Sequence, residues 1–306
     1  MLFKTLIDVD SLEELLGNPR LAVIDCRFNL LNPDAGRQAY LEAHIPTARY
    51  VDLNRDLAAP VAAHTGRHPL PAPHVFAARM AELGIAKHTQ VVAYDDAGGS
   101  IAARLWWMLR WLGHGAVAVL DGGFKAWTAG GGELQSGEPP THATDRALHG
   151  HTADPHGHTA DAHGHSHMEP AVLHPSPNVI VSAADLQQAL LNPRTLLIDA
   201  RAKERYAGQA EPIDSVAGHI PGAVNHPFTA NLGADGRFLP AAKLRSSWQE
   251  LLAGRQPTQV IAMCGSGVTA CHNLLSLEIA GLPGAKLYAG SWSEWIRDPH
   301  RPVARA

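Results

Sequence analysis

Short apolar segments alternate with longer segments of helical periodicity along most of this chain. Residues 21–24, 91–94 and 117–120 are apolar runs of strand length. Residues 101–112 are also strongly apolar, but this run is too long for a typical strand and predicts a buried helix. Ser11 is predicted to be the N-cap of the first helix. Because strands alternate with helices, we expect an α/β fold in which helices cover both faces of a parallel sheet.

The same pattern occurs twice, in the same order. The matching segments are 16–27 with 190–201, 43–48 with 218–223, 91–95 with 260–264, and 122–127 with 290–295. Duplication of a whole domain explains this order most simply. We therefore predict one domain at residues 1–140 and a second at residues 177–306.

Residues 141–176 separate the two halves and are rich in histidine. Residues 141–174 contain nine of the 19 histidines and show no apolar period. Such a segment cannot bury enough apolar area to offset its ordering entropy, which predicts a flexible linker. Two interpretations remain open, which are weak binding of zinc, nickel or copper by neutral imidazoles and a polar spacer. The spacing lacks the fixed ligand pairs of a structured site, so we predict no metal centre.

Composition narrows the classes of partner and compartment. The formal charge of −4 at pH 7 gives no general attraction to nucleic acid or to anionic membranes, and we expect neither as a partner. No apolar run has the length of a membrane span, and the first residues lack the apolar stretch of a secretory signal, which predicts a cytoplasmic protein. The 3 cysteines are unevenly spaced and imply no disulfide framework. We expect no cofactor.

Cys264 stands where a buried strand is predicted to end and a helix to begin. It follows the apolar run 259–263 and opens the sequence Cys-Gly-Ser-Gly-Val-Thr. Backbone N–H groups converge at such a position, and the helix dipole favours negative charge there. We therefore expect Cys264 to be partly ionised at neutral pH and to act as a nucleophile. The two glycines of this loop allow the backbone to curl around the sulfur.

These motifs together resemble the tandem-domain rhodanese family over nearly the whole chain. The resemblance is carried by two Asp-x-Arg strand ends, two His-Ile-Pro turns and the Gly-Ser-Trp-Ser-Glu-Trp sequence at 290–295. It implies two rhodanese-like domains, each a parallel sheet flanked by helices. The second would be catalytic and the first non-catalytic, because Asp95 occupies the position that matches Cys264 and cannot accept a sulfur atom.

The loop is similar to that of 3-mercaptopyruvate sulfurtransferases. The resemblance implies that Cys264 takes a sulfane sulfur from 3-mercaptopyruvate as a persulfide and passes it to cyanide, a small thiol or a reduced thioredoxin-like protein. Thiosulfate is the alternative donor, although no loop residue is basic and a dianion should prefer more positive charge.

The resemblance also assigns supporting roles around the loop. The predicted donor-binding residues are Arg205, Gly265, Ser266, Gly267, Val268, Thr269 and His68. Arg205 would hold the donor's carboxylate or sulfonate, although a surface arginine is the alternative. His68 would pair with Ser266, but the carboxylate that completes this trio in the family is replaced by Asn54. Asp214 stands where the family has a second donor-binding arginine.

Three other classes of function fit the sequence less well than sulfur transfer does. A cysteine phosphatase needs an arginine six residues after its nucleophile, where this chain has Ala270. A zinc site built on Cys264, Cys271 and His272 lacks a fourth ligand. A non-catalytic rhodanese-like binding module is the remaining alternative, although such modules usually lack the loop cysteine. Cys271 is predicted to be a buried apolar group, with a resolving thiol as the alternative.

Overall fold

Two parallel β-sheets, each flanked by helices, make up the computed structural model, which describes residues 2–138 and 175–306. The strands of the first half are β1 (Leu6–Ile7), β2 (Leu21–Asp25), β3 (Arg49–Tyr50), β4 (Gln90–Tyr94) and β5 (Val117–Leu120). Its helices are α1 (Val9–Leu15), α2 (Ala35–Glu42), α3 (Pro73–Glu82), α4 (Ala102–Trp111) and α5 (Gly123–Ala129).

The second half repeats this arrangement with four strands in place of five. Its strands are β6 (Leu196–Asp199), β7 (Val224–Asn225), β8 (Val260–Met263) and β9 (Lys286–Leu287). Its helices are α6 (Ala183–Ala189), α7 (Lys203–Ala207), α8 (Ala241–Leu252), α9 (Thr269–Ile279) and α10 (Ser291–Trp295). Short 3-10 helices cover Pro177–Val179, Phe228–Asn231 and Pro257–Gln259.

Strand order is the same in both sheets, apart from one extra edge strand in the first. The first sheet has the order β1-β5-β4-β2-β3 and the second has the order β7-β6-β8-β9, with all pairs parallel. The central strands β4 and β8 are buried along their whole length, as expected for parallel strands covered on both faces. This architecture confirms the predicted α/β fold with parallel sheets flanked by helices.

An ion pair closes the end of one central strand in each half. Arg27 binds the carboxylate of Asp25 with an N–O distance of 2.6 Å, and Arg201 binds Asp199 at 2.7 Å. Both pairs are buried. Each arginine also donates to the carbonyl of the residue that precedes the His-Ile-Pro turn, which is Ala43 for Arg27 and Gly218 for Arg201. The repeated Asp-x-Arg motif therefore fixes the loop after a strand.

Helices α4 and α9 pack against each other and join the two halves. Both are buried along most of their length and contribute to one continuous cluster of buried residues that includes side chains of both sheets. Helix α4 is apolar on most sides and therefore has to be buried, and α9 packs against it. The prediction of a buried helix at 101–112 is confirmed by α4.

One predicted helix boundary is wrong. Helix α1 begins at Val9, and its N-cap is Asp8, whose Oδ1 accepts the N–H of Ser11 at 2.8 Å. Ser11 therefore lies inside the first turn. A carboxylate satisfies a free N–H at a helix start at least as well as a hydroxyl does, and it also interacts favourably with the helix dipole.

Some predictions concern segments outside the described residues. The histidine-rich linker at 141–176 lies outside them except for its last two positions, and so does the domain boundary at residue 140. Among the helices of residues 2–138 and 175–306, none has the length and apolar character needed to cross a membrane.

Candidate functional site

Cys264 lies at the carboxyl end of β8, immediately before the turn that leads into α9. Its side chain is buried, and its Sγ accepts a hydrogen bond from the N–H of Gly267 at 3.1 Å. The carboxyl ends of the strands are where parallel α/β sheets place their reactive groups. The sulfur therefore has a main-chain N–H donor and the N-terminal end of an 11-residue helix beside it.

The turn after Cys264 is held in shape by the start of α10. Gly267 has a φ of +78°, and a Cβ on it would lie 2.2 Å from the carbonyl oxygen of Ala289. The N–H of Cys264 donates to Ser291 Oγ at 3.0 Å, and the N–H of Trp292 donates to the Cys264 carbonyl at 3.0 Å. Only glycine fits at 267, because a side chain would meet both backbone strain and a clash.

Ser266 and His68 form a hydrogen bond across the two halves. His68 Nδ1 lies 2.7 Å from Ser266 Oγ, and His68 Nε2 lies 3.1 Å from Asn54 Oδ1. Because an amide oxygen only accepts, Nε2 carries the ring proton and Nδ1 accepts the hydroxyl proton of Ser266. Asp52 does not contribute, since its Oδ1 accepts the N–H groups of Asn54 and Arg55 instead.

His68 is held in its neutral form. Burial, together with the positive charges of Arg104 and Arg67, lowers the pKa of His68 to about 3. Asn54 brings no charge that would oppose this shift. The imidazole is therefore an acceptor for Ser266 at neutral pH, and adding a proton to it is costly.

Arg104 connects the two halves behind the loop. It belongs to α4, is fully buried, and donates to the carbonyl of Gly267 at 3.1 Å. Its other amino group donates to the carbonyls of Leu57 and His68 at 3.3 and 3.1 Å. One side chain thus fixes the turn around the sulfur and the histidine opposite it. Sequence reasoning missed Arg104, although a charged residue within the apolar run 101–112 is the signal that could have drawn attention to it.

Arg205 lies beside the loop and is held by two carboxylates. Its Nε and Nη2 donate to Glu211 at 2.7 to 3.1 Å, and Nη2 also donates to Asp214 Oδ2 at 2.9 Å. A Cβ on Gly265 would lie 3.5 Å from Arg205 Nη1. Arg205 is therefore a fixed guanidinium next to the residue that follows Cys264, not a free surface arginine.

A second guanidinium, that of Arg67, reaches the same glycine from the first half. A Cβ on Gly265 would lie 2.9 Å from Arg67 Nη2, while Arg67 Nη1 forms an ion pair with Asp214 Oδ1. The sequence places no basic residue in the loop, but the fold brings two guanidiniums to it. Arg67 was not singled out from the sequence, because only the packing of the two halves brings it near Cys264.

Burial and ion pairing act in opposite directions on the two carboxylates. Burial raises the pKa of Asp214 in spite of the guanidiniums of Arg67 and Arg205. Burial also acts to raise the pKa of Glu211, but the hydrogen bonds from Arg205 and from main-chain N–H groups outweigh it and lower the pKa overall. Glu211 is therefore the more firmly ionised of the two.

The first half has a closed version of the same turn. Asp95 follows β4, and its carboxylate accepts the N–H groups of Ala97, Gly99, Ile101 and Ala102 at 2.8 to 2.9 Å. It is buried, which raises its pKa, and the four N–H groups only partly offset that effect. These four N–H groups of the turn are therefore already paired with a side chain of the protein itself.

The other two cysteines are buried away from solvent. Cys271 donates to the carbonyl of Gly267 at 3.3 Å, and burial raises its pKa to about 12. Cys26 is fully buried behind β2, and burial raises its pKa well above the ordinary value. Both environments favour the neutral thiol, which is a poor nucleophile.

The structure brings most of the predicted site residues together around Cys264. Gly265, Ser266 and Gly267 form the turn, and His68 and Arg205 contact it or lie beside it. Val268 is the buried N-cap of α9 and Thr269 is the first residue of that helix.

A separate cavity of about 280 Å³ lies between α4 and α9, away from the loop. Trp106, Trp107 and Trp111 line it together with Leu274 and Leu277. None of its lining residues belongs to the 264–269 turn. These tryptophans therefore pack at the interface of the two halves.

Comparison with known proteins identifies the family of the chain. A model of the rhodanese-like domain matches residues 8–130 and again residues 182–298. The chain belongs to the rhodanese family. The two matches fall on the two halves that share the repeated pattern.

Similar proteins transfer sulfur. The chain is 47% identical over 301 residues to a protein of Pseudomonas aeruginosa named "Probable 3-mercaptopyruvate sulfurtransferase", covering 98% of this chain and 97% of that one. It is 33% identical over 311 residues to the thiosulfate sulfurtransferase of Rattus norvegicus, covering 97% and 93%. The crystal structure of SseA from Escherichia coli, a 3-mercaptopyruvate sulfotransferase, superposes with a TM-score of 0.71 at 29% identity, covering 95% of this chain and 100% of SseA.

These similarities make this member of the rhodanese family a sulfurtransferase. A sulfur donor and a sulfur acceptor of low molecular weight are implied by that activity. The non-catalytic binding module, which the sequence left open, is set aside because the family relatives over nearly the full length are enzymes.

Proposed function

We propose that this rhodanese-family protein moves a sulfane sulfur from 3-mercaptopyruvate, through a persulfide on Cys264, to cyanide or to a thiol. The observation that carries this proposal is the position of Cys264 Sγ. It lies at the end of a central strand, receives the N–H of Gly267 at 3.1 Å, and has the Ser266–His68 pair beside it. The relative named for 3-mercaptopyruvate supports this choice of donor.

In the first half-reaction the thiolate of Cys264 attacks the sulfur of 3-mercaptopyruvate. A sulfur–sulfur bond forms, the sulfur–carbon bond breaks, and its electron pair stays on carbon to give the enolate of pyruvate, which takes up a proton. Arg205 would hold the carboxylate of the donor. Ser266 would accept the proton of the donor thiol as it passes its own proton to His68 Nδ1, in the direction in which this hydrogen bond already points. The same pair would return this proton to the carbon of the enolate, which gives pyruvate and leaves His68 neutral again.

In the second half-reaction an acceptor removes the outer sulfur. Cyanide attacks that sulfur, the sulfur–sulfur bond breaks, and its electron pair returns to Cys264 as thiolate while thiocyanate leaves. A small thiol or the reduced dithiol of a thioredoxin-like protein would act in the same way. Because the enzyme is covalently modified between two substrates, ping-pong kinetics are expected.

Mass spectrometry of the intact protein tests the persulfide directly. Mixing with 3-mercaptopyruvate should add one sulfur atom to the wild type and none to Cys264→Ser, and pyruvate release should cease in that variant. Cys26→Ala is the matched control, since it also removes one thiol but at a buried position behind β2. Sulfur transfer at the wild-type rate by Cys264→Ser would refute the proposal.

Thiosulfate is a second candidate donor because of the guanidiniums of Arg67 and Arg205 at Gly265. Their charge is what a sulfonate group requires, and one relative over nearly the full length is a thiosulfate sulfurtransferase. Comparing kcat/KM for the two donors decides between them, and a higher value for 3-mercaptopyruvate supports the primary proposal.

A further inference from the structure

Two arginines from different halves of the chain converge on one glycine of the loop. The segment that carries Arg67 is fixed to the second half by its backbone, because the N–H of Arg67 donates to Ser293 Oγ at 3.0 Å. A Cβ on Gly66 would lie only 2.5 Å from the carbonyl oxygen of Gly290, so this segment lies directly against α10. The guanidinium of Arg67 is therefore placed beside that of Arg205 by tight packing, not by a flexible loop.

Each guanidinium keeps donor groups directed toward Gly265. Arg205 uses Nε and Nη2 for its carboxylate partners, while Nη1 is its atom nearest to Gly265. Arg67 pairs through Nη1, while Nη2 is nearest to Gly265. Among the described residues, Arg67 Nε is also buried and has no hydrogen-bond partner. Two guanidinium groups with free N–H donors beside Gly265, the residue that follows Cys264, match the two oxygens of an anionic donor group.

Asp214 connects the two arginines. One of its oxygens pairs with Arg67 and the other accepts from Arg205 Nη2 at 2.9 Å, and its side chain is only 4% exposed. With Glu211 on Arg205, the two positive charges at Gly265 are balanced by two negative ones. The cluster that a bound donor meets is therefore nearly neutral. Without the negative charge of Asp214 the site would be more positive, and this would strengthen the binding of a doubly charged donor more than that of a singly charged one.

We propose that Arg67 is a second donor-binding arginine and that Asp214, which bridges it to Arg205, favours a singly charged donor over a dianion. This inference rests on the proposed function, since it assigns the donor selectivity of the same site. Arg67 would bind the anionic group of the donor together with Arg205. Asp214 would orient both guanidiniums and set their net charge.

Steady-state kinetics with 3-mercaptopyruvate and with thiosulfate test the two roles separately. Arg67→Gln should raise KM for both donors by about tenfold or more with a smaller effect on kcat, because it removes a charged hydrogen-bond donor from the bound anion. Asp214→Asn should raise kcat/KM for thiosulfate relative to 3-mercaptopyruvate by about tenfold, because a dianion gains about twice as much from the added positive charge. In the double variant Arg67→Gln/Asp214→Asn the two changes of charge cancel, so the ratio of kcat/KM values for the two donors should return toward that of the wild type.

Matched controls come from an exposed ion pair in the first half, Arg37 with Glu138. Arg37→Gln and Glu138→Gln change the net charge by the same amounts but should leave both KM values and the donor ratio as in the wild type. Thermal unfolding of each variant separates loss of folding from loss of binding. If Arg67→Gln does not fold, the donor ratio of Asp214→Asn decides alone.

The outcomes distinguish this inference from the proposed function. Absence of a persulfide in the wild type with either donor would remove both. A wild type that forms the persulfide, with an unchanged KM in Arg67→Gln or an unchanged donor ratio in Asp214→Asn, would overturn the inference alone. A purely structural ion pair would lower the unfolding temperature in both variants and leave the ratio of donors unaltered.

Discussion

Replacing Asn54 with aspartate tests whether a proton reaches His68 during turnover. Asn54 Oδ1 lies 3.1 Å from His68 Nε2, and its side chain is exposed to water at its outer edge. The variant places a carboxylate at this position with almost no change in volume. It therefore alters the charge beside the imidazole without altering the packing of the first half against the second.

The expected magnitude follows from the pKa of His68, which burial and two arginines lower to about 3. A carboxylate at hydrogen-bond distance raises the pKa of a histidine by about 1–3 units, and exposure of Asn54 favours the lower end of that range. One unit corresponds to about 1.4 kcal/mol in favour of the imidazolium. If the proton of Ser266 moves to His68 in the slow step, kcat for 3-mercaptopyruvate should rise by about tenfold.

Two measurements check this prediction together. Pyruvate release gives kcat, and NMR titration of the imidazole resonances gives the pKa of His68, with His68→Gln assigning the signal. Asn18→Asp is the matched control, because it adds the same charge to an exposed turn of the first half whose Oδ1 caps the N–H of Arg20. The control should change neither quantity.

The combination that refutes the reasoning is a raised pKa of His68 with an unchanged kcat. In that case no proton resides on His68 in the slow step, and the Ser266–His68 pair only positions the loop. An unchanged pKa would instead contradict the distance between Asn54 and the imidazole.

Two further predictions concern folding. Gly267→Ala should lower the free energy of unfolding by more than about 2 kcal/mol and abolish sulfur transfer, because φ is +78° and the Cβ would lie 2.2 Å from the Ala289 carbonyl oxygen. Denaturant unfolding measures this free energy, and a stable, active variant would contradict the geometry. Burial lowers the pKa of His272 from 6.5 to about 4, so the unfolded chain binds more protons than the folded chain between these pH values. The contribution of neutral His272 to stability is therefore fully present above pH 6.5 and is lost as the pH falls toward 4. Between pH 8 and 5 this site should remove about 2 kcal/mol, and His272→Gln should flatten the pH dependence; an equal slope in both proteins would show that His272 does not titrate on unfolding.

The sequence predicted most of what is local in this fold. The strands at 91–94 and 117–120, the buried helix α4 and the position of Cys264 between β8 and α9 follow from apolar periodicity and from the strand–turn–helix pattern. The N-cap of α1 was misplaced, since Asp8 and Ser11 both satisfy the sequence rule and only their backbone angles distinguish them.

What the sequence did not predict depends on how the two halves face each other. Arg67 lies 147 positions before Asp214, and their ion pair forms only because α4 packs on α9 and the segment at 66–68 lies against α10. Periodicity shows which face of each helix is apolar, but it does not show which residues of two apolar helices meet. The role of Arg104 was missed for the same reason.

The carboxylate of Asp95 limits the number of sulfur atoms that one chain can carry. Four main-chain N–H groups already bind the Asp95 carboxylate in the turn of the first half, so we expect this turn neither to accept nor to release a sulfur atom. Although the domain is duplicated, we expect an excess of donor to add only one sulfur atom to each chain. The first half instead supplies His68, Arg67 and Arg104 to the candidate site in the second half.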